Sequence, residues 1–233
     1  MNLILENLPL FLIGLRATLL LAVVTLIAST AIGVVLGSLA TLKSRPLRIL
    51  VALYVETFRD IPLIVTIFAI FFGAPYLGVP LEPFPSVALG LSLWGGANGA
   101  EIVRAGINSV PHGQPEAARA LGLHTGQIYL LILWPQALRA VLPAYTGLLA
   151  LLFQSTSLGA LVGVTEFLKA GGLVIERSTV MLGINPAFQI YAFVLVVYFV
   201  ISSSLSLLSR RLERRLARGG ERNIVAARDA ASV

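Results

Sequence analysis

The sequence predicts an all-helical integral membrane protein with five spanning helices, its N-terminus outside and its C-terminus inside. Three observations carry this. The 233 residues are 57% hydrophobic and 12% charged, with a mean hydropathy of +0.90, whereas an ordinary soluble domain carries about twice that charged share. Several uncharged runs are long enough to cross a hydrocarbon core about 30 Å thick, which takes roughly 20 helical residues. Basic residues cluster beside those runs, as charges that set topology do. The length allows four to six spans with short loops and leaves no room for a large soluble domain. The net charge of +6 therefore reads as topogenic, and a nucleic-acid surface is excluded. There is no cysteine, which excludes disulfides, thiol catalysis and cysteine metal sites. His112 and His124 stand in a polar loop with no third ligand beside them, so no metal site is expected. Met1 to Pro9 lacks the basic start and small-residue cleavage site of a signal peptide, and the first run is read as a retained span.

Taken in order, Ala17 to Leu42 carries no charge and places a first span at about 15–42. Lys43, Arg45, Arg48 and then Arg59 form a basic loop. Ile61 to Leu81 is the next uncharged run, broken at its far end by Pro75 and Pro80, and gives a second span at 59–80. Pro83 to Ala100, closed by Glu101 and Arg104, gives a third at 84–106. A polar stretch from Asn108 to Arg119 follows. Ala120 to Leu138 and Ala140 to Thr165 are both uncharged, and hydropathy alone allows both to cross. Charge decides between the readings. The tail holds seven arginines, at 210, 211, 214, 215, 218, 222 and 228, and Lys/Arg excess marks the cytoplasmic side. With the first loop and the tail both inside, the span number is odd. Gly122, Thr125, Gly126, Gln127 and Pro135 interrupt the first candidate, so the fourth span is placed at 138–157 and the fifth at 186–208. Residues 211–233 are polar, with no apolar face to dock, and are expected to fray into disorder. There is no inverted pair of three-span halves of the kind secondary transporters carry.

The segment 112–136 is a long insertion between spans. Pro115 suits the first turn of a helix, Glu116 favours its positive end, and Gly122 is placed to close it in the left-handed conformation. Ile128, Leu131, Ile132 and Pro135 then fall on one apolar face of a second helix stopped by the proline. A mere connector has little reason to hold an apolar helix, and long loops with structure of their own are usually functional. A helical knob of this kind fits the groove of a soluble partner.

Glu116-Ala117-Ala118, three residues, Gly122, nine residues, then Ile132 and Pro135 resemble the EAA loop of ABC importer membrane subunits, with Trp134 where leucine is usual. Glu56-Thr57-Phe58-Arg59-Asp60-Ile61-Pro62-Leu63 and Ala100-Glu101-Ile102-Val103-Arg104-Ala105-Gly106-Ile107 resemble two stretches of polar amino acid permeases, Asp60 replacing the commoner glycine. The resemblance covers residues 10–210. It implies a type I ABC importer transmembrane domain in a bacterial inner membrane, and a partner set of two cytoplasmic ABC ATPase subunits, a second permease (identical or sister), and a periplasmic amino-acid-binding protein. The chain lacks a G-x-x-x-x-G-K-[ST] phosphate loop, so ATP hydrolysis falls to a partner, and neither a catalytic residue nor a cofactor is expected. Glu116, Ala117, Ala118, Gly122, Ile132 and Pro135 are the expected ATPase contact.

Ionisable and polar groups inside a membrane are candidates for a substrate path. Glu101 and Arg104 lie one helical turn apart, as a local pair or as contacts to a sister chain. Glu56 and Arg59 share that spacing, with Arg59 also suited to a snorkelling anchor at the interface. Pro62 completes this motif. Ser155, Thr156 and Ser157 mark either a broken helix whose free backbone groups meet a ligand or ordinary hydroxyl bonding to the preceding turn. Glu166 either receives a cationic side chain or caps an outer helix, and Asn98 faces the same path. The rival readings are an ATPase-independent secondary transporter or channel, and a membrane-embedded enzyme, for which no converging nucleophile–base or metal set is visible.

Overall fold

The computed structural model describes the backbone of residues 2–230, and the side chains of residues 3–208 and of Arg211. The helices are α1 (Asn2–Glu6), α2 (Leu8–Leu39), α3 (Arg45–Asp60), α4 (Leu63–Gly73), α5 (Pro83–Asn108), α6 (Gly113–Ala120), α7 (Thr125–Gln127), α8 (Trp134–Ser155), α9 (Phe167–Leu182) and α10 (Ala187–Ala230). A wide π turn at Ile128–Leu133 joins α7 to α8, and tight 3₁₀ turns follow α4 (Ala74–Leu77) and α8 (Thr156–Val162). No strand occurs among the described residues. Leu8–Leu39, Thr125–Val162 and Ala187–Leu208 are long and apolar enough to cross a membrane, and the bent pair Arg45–Asp60 and Leu63–Leu77 adds a fourth candidate.

α5 sits at the centre, against α2, α3, α4 and α8. Its 26 residues extend roughly 39 Å at 1.5 Å each. Its glycines, serines and alanines face protein, and it is less apolar than α2. The matching stripe on α2 is Phe11, Gly14, Thr18, Leu21, Thr25, Ser29, Gly33 and Gly37, all buried at helical spacing. Leu12, Leu19, Leu20, Val23 and Ile27 are exposed on its other side. Lipid offers apolar side chains no worse a home than protein does, so such helices associate through small residues that let backbones approach. Gly33 meets Gly99 so closely that a Cβ would fall 3.0 Å from the Gly99 Cα. Two of the three buried hydroxyls on this stripe are satisfied within the helix: Thr25 Oγ1 donates to the Leu21 carbonyl at 2.8 Å and Ser29 Oγ to that of Leu26 at 3.1 Å.

The expected second span, 59–80, is not a single rod. α3 ends at Asp60 and the chain turns by 100° into α4. Pro62 is the cause. Ile61 before it is driven to an extended backbone, φ −74° and ψ 128°, because the proline ring crowds a helical predecessor. No residue other than glycine has a positive φ among those described, so Asp60 fits where the related motif has glycine. α4, with 11 residues, reaches only about 16 Å. The basic loop between the first two spans is itself mostly helix: α3 lies against α5, and the Tyr54 hydroxyl donates to the Leu93 carbonyl at 2.8 Å.

The second helix of the 112–136 segment does not stop at Pro135. The chain is helical from Thr125 to Val162, so the expected start of a span at 138 is not marked by a break. In the π turn the Trp134 N–H donates to the Tyr129 carbonyl, five residues back. The extra residue lets the chain pass a proline whose ring would crowd the preceding turn of a regular helix. It also resets the apolar face. Ile128, Leu133, Ala137, Val141 and Tyr145 are buried, a step of five followed by steps of four. Of the four residues expected to share one apolar face, Ile128 is buried and Ile132 half-buried, while Leu131 and Pro135 are exposed.

α9 and α10 close the other side. Phe167, Ala170 and Val174 of α9 and Ile190 and Val194 of α10 pack with Phe11 of α2. α10 continues through the basic tail to Ala230. The tail expected to be disordered at 211–233 is thus helical that far, in keeping with its arginine, alanine and glutamate content. Residues 231–233 lie outside the described residues.

Candidate functional site

The knob of the 112–136 segment is built as its residues require. α6 carries Glu116 in its first turn, beside the free N–H groups of the helix start. Gly122 takes φ +83°, a left-handed conformation that costs a side-chain-bearing residue roughly 1–2 kcal/mol. Its N–H donates to the Arg119 carbonyl at 2.9 Å, and that of Leu123 to Ala118 at 3.1 Å, closing the helix. His124 then caps α7. Its Nδ1 accepts from the Gln127 N–H at 3.3 Å, and its own N–H donates to Gln127 Oε1 at 3.1 Å. Glu116 and Ala117 are exposed, while Ala118 is buried against the cluster containing Ile128 and Leu133. Ile132 and Trp134 are half-buried on the same cluster. The motif therefore divides its labour. Ala118 and Ile132 seat the knob, Gly122 turns the chain, and Glu116, Ala117 and Pro135 are left exposed.

The knob is wired to the first long helix by a bond that has no signal in the sequence. The Tyr129 and Thr41 hydroxyls are hydrogen-bonded. Thr41 Oγ1 also donates to the Ser38 carbonyl at 2.7 Å; its one hydrogen spent there, Tyr129 supplies the donor between the two hydroxyls. Thr41 lies just beyond the end of α2, so displacement of the π turn reaches α2 directly. Tyr129→Phe keeps the ring and removes only the donor. It is expected to lower stability by about 1 kcal/mol, the worth of one hydrogen bond, read by thermal denaturation of the purified chain in detergent.

The polar candidates between α8 and α9 fall at one junction. Ser155, Thr156 and Ser157 donate to the carbonyls of Leu151, Phe153 and Gln154 at 2.8, 2.7 and 2.8 Å. The hydroxyls thus bond the preceding turn, the second of the two expected readings, and the α-helix tightens there into a 3₁₀ turn. Glu166 is fully buried. Its carboxylate accepts from the Leu168 and Lys169 N–H groups at 2.8 and 2.7 Å, capping α9, and from the Tyr198 hydroxyl at 2.9 Å. Of its two expected roles, capping is the one its bonds fulfil. Thr18 Oγ1 accepts from the Phe167 N–H at 3.0 Å, and the Tyr198 hydroxyl is within reach of Thr18 and Thr156. Thr18 had a sequence signal, its place on the small-residue stripe. Tyr198, inside an aromatic-rich span, had none. Asn98 is not drawn in; its amide donates to the Trp94 carbonyl on its own helix at 2.9 Å.

The two acidic–basic motifs differ in state. Glu101 and Arg104 form a two-pronged ion pair, with Arg104 Nε donating to Glu101 Oε2 at 2.9 Å. Glu56 and Arg59 are exposed on α3, one turn before the bend at Pro62.

Residues 29–218 match the family of binding-protein-dependent transport system inner membrane components. The chain is 35% identical over 202 residues to a probable glutamine ABC transporter permease of Bacillus subtilis, covering 87% of this chain and 91% of that one. It is 38% identical over 217 residues to a glutamate transport system permease of Corynebacterium glutamicum, covering 91% and 77%. The fold superposes on a crystal structure of an amino acid ABC transporter with histidines, with a TM-score of 0.81 at 26% identity over 91% of this chain and 96% of that one. An inward-facing methionine ABC transporter shares the fold with a TM-score of 0.72 at 24% identity, covering 89% and 96%. By its match over most of its length, and with the type I importer fold, this chain belongs to the family of binding-protein-dependent transport system inner membrane components, the multi-pass permease subunits of ABC transporters.

Proposed function

We propose that this permease imports polar amino acids across a bacterial inner membrane, driven by two cytoplasmic ATPase subunits that grip the knobs of two paired permeases. A periplasmic binding protein delivers the amino acid to the outer face. The chain crosses five times, N-terminus outside. The observation that carries the reading is the exposed Glu116–Ala117 surface on a knob continuous with a helical rod reaching Val162. Rigid motion at the knob travels along that rod to Thr156 at its far end, biasing inward- and outward-open states. Thr156, Ser155 and Ser157 border the path, with Glu166 holding its outer wall in place. The permease has no hydrolytic chemistry of its own and works as a transport subunit. The ATPase-independent alternative has no use for a knob of this design.

The test is reconstitution of the permease with its ATPase and binding protein in vesicles. ATP-dependent uptake of an amino acid is expected, and Glu116→Lys is expected to abolish both uptake and co-purification of the ATPase while leaving the permease folded. Uptake driven by an ion gradient with no ATPase present would overturn the reading.

A further inference from the structure

The Glu56/Arg59 and Glu101/Arg104 motifs lie on different helices, yet they open on one cavity. It lies between α3 and α5, has a volume of about 440 Å³, and is also lined by Arg48 and Ala100. Glu101 and Arg104 satisfy one another. Arg48, Glu56 and Arg59 have no ion-pair partner among the described residues. The cavity therefore offers two guanidiniums and one carboxylate outside any ion pair, with Arg59 near enough to attract the Glu101 carboxylate, and a formal excess of one positive charge.

We infer that this cleft binds the head group of a free amino acid, as a second station on the path, separate from the junction at Thr156. A guanidinium offers a planar fork of donors that matches a carboxylate, so Arg59 takes the α-carboxylate. Glu56, one turn away on the same face of α3, takes the α-ammonium. Arg48, eight residues before Glu56 on that face, closes the other end of the cavity, where a polar side-chain terminus lies. The Glu101–Arg104 pair walls the cleft from α5. A simple anion such as phosphate, free or on a lipid, suits the arginines but meets Glu56 as a like charge. A zwitterion suits both signs. Tyr54, tied to Leu93, and the buried Val51 and Val55 fix α3 against α5, so the cavity is formed before any ligand arrives. In the proposed topology α3 forms most of the cytoplasmic basic loop, which puts the station on the inner side.

The inference rests on the import reading, and the experiment separates the two. The reconstituted complex is offered the twenty proteinogenic amino acids together, and import is read by mass spectrometry. If the unaltered complex imports none of them with ATP, both the reading and the inference fall. If it imports, Arg59→Gln is expected to lower uptake about tenfold, the loss of one charge-assisted contact, with binding-protein-stimulated ATPase kept within about twofold, and Arg59→Lys to recover part of the uptake. Equal loss of uptake and ATPase would make Arg59 a structural residue and overturn the inference, as would unchanged uptake. A second measurement needs no transport. The natural chain has no cysteine, so Ala52→Cys, which lines the cleft, gives a single labelling site in the permease. The amino acid mixture is expected to slow its maleimide labelling about threefold, and Arg59→Gln to cancel that protection. Equal protection by inorganic phosphate, or none by the amino acids, would overturn the inference even if uptake responds as expected.

Discussion

Glu166→Ala is expected to destabilise the permease by about 3 kcal/mol, the sum of one lost helix cap and at least one buried donor left without a partner. The carboxylate is fully buried and accepts three hydrogen bonds, two from backbone N–H groups at the start of α9 and one from Tyr198. Alanine leaves all three donors without their acceptor at a buried position, and a missing partner costs more than a hydrogen bond is worth when made. The effect is not confined to α9. Tyr198 brings α10 to the same point, and Thr18 of α2 holds the neighbouring Phe167 N–H, so three helices lose one pin. Glu166→Gln keeps the shape and one good acceptor while placing an amide donor against another donor, and about half the loss is expected. Tyr198→Phe alone is expected to cost about 1 kcal/mol, and less than that when added to Glu166→Ala, since the shared bond is lost only once. Thermal denaturation of the purified permease in detergent reads all four. A Glu166→Ala midpoint unchanged from the natural protein would show that the carboxylate is not a structural pin.

Much of this architecture is legible from sequence, and the gaps have physical causes. The apolar runs reveal α2 and α10, whose outer faces meet lipid and so carry the full hydropathy signal. The knob is legible because its parts are local: an acidic first turn at Glu116, a glycine at 122 that must turn the chain, and small residues that let it seat. The course of the chain around Pro62 and Pro135 is not. A proline announces that a regular helix cannot continue, but whether the chain bends by 100° or absorbs the proline in a π turn depends on neighbours distant in sequence. At Pro62 the preceding residue is free to extend. At Pro135 the buried stripe from Ile128 to Tyr145 holds the rod straight. The polar junctions are half legible for the same reason. Glu166 and Thr156 stand out by type in apolar surroundings, whereas Tyr198, Thr41 and Tyr129 matter only through partners 32 to 88 residues away.

Gly37→Val is expected to cost the permease at least about 3 kcal/mol and most of its transport, the upper range for forcing bulk into a packed seam. A Cβ at this position would lie 2.5 Å from the Ala100 carbonyl oxygen and 2.6 Å from Val103 Cβ. The carbonyl belongs to the backbone of α5, the helix on which α2, α3, α4 and α8 all rest, and cannot turn aside as a side chain would. α2 has to move away, which opens the seam of small residues from Ser29 to Gly37. Gly37 also stands one turn before Thr41, the residue that receives Tyr129 from the knob. Moving this end of α2 therefore disturbs, at one point, both the fold and the contact through which the proposed ATPase motion enters it. Gly73 at the end of α4 provides the contrast. It has a helical backbone, φ −87° and ψ −35°, and a Cβ added there would meet no atom within 4 Å. Gly73→Ala is expected to stabilise by about 0.4–1 kcal/mol through the unfolded chain alone. Denaturation midpoints and uptake rates of the two variants check the pair. If Gly37→Val were as well tolerated as Gly73→Ala, close approach of α2 and α5 would not be what holds the centre of this fold.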